Sequence, residues 1–191
     1  MAAPRKDNVK DIILDATKKL LEKKSLSDIS LAEIATAAGI SKGTLYYHYK
    51  NKTDILFDIT DRYLGEQWND FISWTDNKEK DTSIHRLVKY VMERNTASAG
   101  IRVHLLNAAM LGDEVMRQKL LKRYKEFGEL ISQKIAERTQ VVPPDYFTWL
   151  LLVASDGIII QEALRNSDFN MQTFITQSAD YIQLLEDYKK E

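Results

Sequence analysis

Ser30-Leu-Ala-Glu-Ile-Ala-Thr-Ala-Ala-Gly-Ile-Ser-Lys-Gly-Thr-Leu-Tyr-Tyr-His-Tyr-Lys-Asn-Lys52 is the stretch that decides how this chain is read. Ser30-x-x-Glu33 is a capping-box pattern that opens a helix. Leu31, Ile34, Ala35 and Ala38 then recur on one face of it. Gly39 ends that helix, where a left-handed residue is needed. Ile40 is placed to plug the space between helices, and Ser41 caps a short helix running to about Tyr49. Two short helices about a glycine turn form a helix-turn-helix.

A helix that enters a DNA major groove presents short polar groups at its N-terminal turn. Here that turn is Ser41, Lys42, Gly43 and Thr44. Gly43 disfavours a helix by about 1 kcal/mol against alanine, which makes sense where the backbone must approach another surface closely. Tyr46, Tyr47 and His48 offer polar tips, while Leu45 and Tyr49, four apart, face inward as anchors. Lys50 and Lys52 suit phosphate pairing, as do Arg5, Lys6 and Lys10 from an N-terminal arm. Residues 1–53 hold 10 Lys and Arg against 6 Asp and Glu, leaving 17 against 22 for the rest of a chain of net charge −1. A basic head on an acidic body fits a nucleic-acid contact confined to one end.

Outward from this stretch nearly everything reads as helix. The 191 residues are 44% hydrophobic and 29% charged, a globular composition with room for a substantial core. Prolines occur only at 4, 143 and 144. About nine helices are expected. The first spans about Asn8 to Lys24 and the fourth runs from Asn51 or Thr53 to about Trp74, with a charged break at Asp76–Asp81. Others follow at about Ser83–Ser98, Ile101–Leu111, Asp113–Thr139, Asp145–Arg165 and Asn170–Lys189. The expected class is all-α, with a helix-turn-helix domain at 1–53 and a second helical domain at 54–191. There is no cysteine, which excludes disulfides and thiolate metal sites. No apolar signal-peptide core follows the N-terminal Met, and the run from Tyr146 to Ile160 is too short for a membrane span. A cytoplasmic protein without membrane contact is the expectation.

No phosphate-cradling glycine loop and no metal-binding histidine pair is present, and His48, His85 and His104 lie far apart. Neither an enzymatic activity nor a cofactor or metal is expected. A second reading is a DNA-binding protein without a small-molecule effector, acting architecturally or through a protein partner.

Ser30, Ile34-Ala35, Ala38-Gly39, Gly43-Thr44-Leu45-Tyr46-Tyr47-His48-Tyr49 and Lys52-Thr-Asp-Ile-Leu56 resemble the N-terminal domain of TetR/AcrR-type transcriptional regulators. The likeness covers about 48 residues. It implies DNA contacts at Ser30, Ser41, Lys42, Gly43, Thr44, Tyr46, Tyr47, His48 and Lys52. Tyr49 departs from it, since the family usually has phenylalanine there; the extra hydroxyl needs a partner or an exit to solvent. The family habit further implies a double-stranded operator as partner, and repression rather than activation.

Residues 147–160 are apolar nearly all round, so this helix must be covered on both sides. The resemblance implies a homodimer through the last two helices, placing Leu151, Gly157, Ile158, Phe174, Ile182 and Leu185 at the interface. It also implies a small apolar or amphipathic effector in the body, with Trp68, Phe71, His104, Asn107, Tyr124, Phe127 and Asp156 as candidate contacts. Asp156 is costly if buried alone. It either pairs across the dimer or caps a polar cavity.

Overall fold

The computed structural model describes residues 9–21, 23–24, 28–93 and 99–189, with the backbone alone at 63, 64, 67, 99–101 and 104. Among these are nine α-helices: α1 Val9–Leu21, α2 Leu31–Ala37, α3 Lys42–His48, α4 Lys52–Thr75, α5 Ile84–Glu93, α6 Ala99–Met110, α7 Glu114–Ala136, α8 Pro144–Ala163 and α9 Met171–Tyr188. The all-α class is as expected.

Local chemistry accounts for the helix ends. Ser30 Oγ accepts the Glu33 N–H at 3.1 Å. The Glu33 carboxylate meets Lys24 at 2.6 Å, pinning the approach to α2. Gly39 has φ +65°, and the Ile40 N–H reaches back to the Ala35 carbonyl at 3.0 Å, closing the helix as a Schellman motif does. Asp113 and Asn170 cap α7 and α9 through their side-chain oxygens, and Pro144 occupies the first turn of α8.

The chain forms two compact units that divide between Tyr63 and Leu64, inside α4. That is later than the seam expected at 53. Ile55, Leu56 and Ile59, from the first turns of α4, are buried, and Arg62 pairs with Asp11 and Asp15 of α1. The start of α4 is therefore built into the head rather than into the body.

In the head, Val9, Ile13 and Leu14 of α1, Ile34 and Ala35 of α2, and Leu45 of α3 are buried together with those α4 residues. In the body, one core gathers Phe71, Leu87, Val88, Ile131, Ile135, Leu151, Ile158, Ile175 and Ile182 among others. Helices α7 and α8 run antiparallel. Tyr124 bonds Asp156 near one end of the pair, and Ser132 bonds Asp145 near the other. No helix among the described residues is long and apolar enough to cross a membrane.

Candidate nucleic-acid interface

Helix α3 has seven residues, too few to stand alone in water. Leu45, fully buried, and Tyr49, at 3% exposure, fasten it to the head. The Tyr49 hydroxyl donates to Asp58 Oδ2 of α4 at 2.8 Å, so the departure from phenylalanine has found its partner. Burial, and then the Asp58 hydrogen bond, hold this hydroxyl well above the ordinary tyrosine pKa. It is a permanent donor at physiological pH.

With that face anchored, the opposite face stands free. Ser41 Oγ accepts the Thr44 N–H at 3.0 Å and shares a 2.8 Å hydrogen bond with the Thr44 hydroxyl. Lys42 and Gly43 are exposed beside it. Tyr47 is 74% exposed, and its ring meets His48 edge-on at 5.0 Å. A side chain on Gly43 would meet nothing closer than Ser41 Oγ at 3.7 Å, an ordinary contact. The fold has room for a methyl group there, so packing within the head does not require glycine.

The structure thus leaves Ser41, Lys42, Gly43, Tyr46 and Tyr47 exposed and Thr44 and His48 half-buried along α3, with Ser30 exposed at the start of α2. Lys52 differs from the expectation of a bare phosphate anchor. Its ammonium donates to the Ile29 carbonyl at 2.7 Å, tying α4 to the approach to α2. Lys10 also differs: it lies 3.5 Å from Asp58 and over the Tyr49 ring, where its charge is shared with an acid. Arg5 and Lys6 lie outside the described residues.

In the body, Trp68 meets Phe127 edge-on at 5.0 Å, and Phe71 lies 5.3 Å from Tyr90, which stacks on Trp74 at 4.4 Å. Asp156 neither waits for a partner subunit nor stands alone. It takes Arg102 Nη2 on Oδ1 at 2.9 Å and the Tyr124 hydroxyl on Oδ2 at 2.5 Å. Burial and then Asp156 push the Tyr124 hydroxyl up to about 12. Arg102 was missed in the sequence; its only signal is a lone cation in the apolar run from Ile101 to Met110. Asn107 is a correction, since it is exposed on α6 and lines no interior. The His104 side chain lies outside what is described.

The interface expectation needs correcting by face. Leu151, Ile158 and Ile182 are each within 2% of complete burial in the subunit's own core and are unavailable to a partner. An apolar-all-round helix carries no polar residue to mark its outer face, so periodicity alone misplaces it. Gly157, Phe174 and Leu185 do lie outside that core. The exposed stripe of α8 is Trp149, Leu150, Val153 and Ile160, and that of α9 is Tyr181, Leu184 and Tyr188, none of them named beforehand. Val153 is 64% exposed. A side chain added at Gly157, in the middle of the α8 stripe, would meet nothing within 4 Å.

Comparison with known proteins fits this geometry. Residues 13–59 match the family described as bacterial regulatory proteins, tetR family. The HTH-type transcriptional regulator AcrR of Shigella flexneri is 37% identical over 57 residues, 28% of this chain and 26% of that protein. The HTH-type transcriptional regulator BetI of Serratia proteamaculans is 24% identical over 176 residues, 89% of this chain and 88% of that one. A transcriptional regulator from Saccharomonospora viridis, crystallised with choline, superposes with a TM-score of 0.71 at 18% identity, over 93% of this chain and 97% of that one. Proteins of this kind are DNA-binding transcriptional regulators and not enzymes. With the helix-turn-helix edge, the helical body and these likenesses in agreement, residues 13–59 form a DNA-binding domain of the tetR family type, and the body has the fold of regulators of that kind.

Proposed function

We propose that the chain is a cytoplasmic, homodimeric repressor that binds a double-stranded operator and is released from it by a small molecule held in the body. The observation that carries this reading is the edge of α3 from Ser41 to His48, anchored by Leu45 and Tyr49 and open on its polar side. Two copies of it would enter successive major grooves, with their centres about 34–36 Å apart. One such helix reads too few base pairs to be specific alone, so pairing of subunits supplies the second half-site. The uncovered apolar faces of α8 and α9 supply a surface for that pairing, since contiguous apolar patches on soluble proteins mark interaction sites.

The choline complex of the Saccharomonospora viridis regulator supports a small-molecule effector in a body of this fold. A ligand changes DNA affinity only as far as its own affinity differs between the two states. Helix α4 belongs to both units and is the element through which such a difference would pass. Selection of bound DNA from a random pool tests the reading. A two-fold-symmetric consensus with half-sites about one helical turn apart is the expected result. Recovery of no consensus would overturn it.

A further inference from the structure

With the body read as an effector domain, the hydrogen-bonding capacity left over around Asp156 names the chemistry of its effector. Arg102 of α6, Tyr124 of α7 and Asp156 of α8 meet there. Both carboxylate oxygens already accept a hydrogen bond, one from the guanidinium and one from the tyrosine hydroxyl. The cation is less well served. Its side chain is only 11% exposed; one of its nitrogens donates to the carboxylate and its guanidinium also lies over the Tyr124 ring at 5.9 Å, which leaves part of its five N–H groups unused. The surplus at this cluster is therefore in donors. A ligand bringing acceptors is matched to it. A cationic ligand would have to take Asp156 from Arg102 and leave a buried guanidinium unpaired, which is costly.

The apolar side of the site is equally defined. Phe127 sits one turn from Tyr124 on α7, with Trp68 against it edge-on. We propose that the effector is a small organic acid with an apolar body, its carboxylate accepting from Arg102 and its hydrocarbon or ring lying along Trp68 and Phe127.

The test uses the full chain on its selected operator with three probes of matched length: octanoate, 1-octanol and octyltrimethylammonium. Binding is followed by calorimetry and DNA release by fluorescence anisotropy. Octanoate should bind best and release DNA. Arg102→Gln should weaken octanoate by about tenfold to a hundredfold, the worth of a charge-assisted hydrogen bond, and weaken 1-octanol, a neutral acceptor, by several-fold less. Should Arg102→Gln fail to fold, Arg102→Gln combined with Asp156→Asn removes both buried charges at once and reads the same loss. Preference for octyltrimethylammonium, equal binding of octanoate and octanol, or an octanoate affinity indifferent to these variants overturns the acid assignment while leaving the effector reading intact. Silence of all three probes overturns both.

Discussion

The helix-turn-helix edge and the interhelical pairs of the body fasten their polar groups over very different distances along the chain. Around the edge, Ser30 serves Glu33, Ser41 serves Thr44, and Tyr49 reaches Asp58, while the longer reaches of Arg62, Lys10 and Lys52 tie the ends of the head together. In the body, Arg102 reaches Asp156, Lys134 reaches Asp76, and His85 reaches Asp180. The edge pairs span three to nine residues and these body pairs 54 to 95. Local pairs place a DNA-reading edge by rules written in a few consecutive residues. Distant pairs depend on the packing of whole helices, so the same body architecture can be refitted with different polar contents.

The contrast can be broken where it is strongest. Leu45→Ala removes the fully buried anchor of α3 and should destabilise the head by about 3 kcal/mol, in the usual range for a buried leucine. Operator binding should be lost while the body keeps its helices and the proposed dimer. Circular dichroism melts together with sedimentation check this; loss of the dimer as well would show that head and body do not fail separately. Val153→Asp places a charge at the centre of the uncovered α8 stripe. It should convert dimer to monomer in sedimentation equilibrium with little change in helix content, and persistence of the dimer would move the interface elsewhere.

Smaller effects sharpen the comparison. Lys52→Ala should weaken binding to every DNA sequence alike and flatten the dependence of log affinity on log salt by about one unit. Because Lys52 also holds the Ile29 carbonyl, a modest drop in head stability should accompany it. An unchanged salt slope would leave Lys52 with a structural role within the head. Tyr49→Phe deletes one hydrogen bond and restores the residue usual in the family, at a cost of about 1 kcal/mol. Asp58 keeps Lys10 as a neighbour, so denaturant titration should find no larger loss.

How much was legible in the sequence follows the same division. Caps, the glycine turn, the inward pair Leu45 and Tyr49 and the polar edge of α3 could all be read, because each depends on residues within a turn or two. The body resisted for two reasons. Arg102 finds Asp156 only after α6 and α8 are packed, and no spacing rule connects them. In α8, hydrophobic residues on every side erase the periodic contrast that separates core from surface, so Leu151 and Ile158 could not be told from Leu150 and Val153. The seam at 53 was misjudged for a related reason. A continuous helix shows no break in composition where its burial passes from one core to the next.

Gly43 and Gly157 share a property with a practical consequence: each sits on an exposed helical surface where the protein itself would admit a methyl group without a clash. Alanine is the better helix former by about 1 kcal/mol in a helix interior. A laboratory campaign that ranked variants of the isolated chain by melting temperature would therefore favour alanine at both positions. If Gly43 lies against DNA and Gly157 against a second copy, the hardened protein would have lost the close approach that each missing side chain permits. Screening for thermal tolerance and screening for operator occupancy would then pull these two codons in opposite directions.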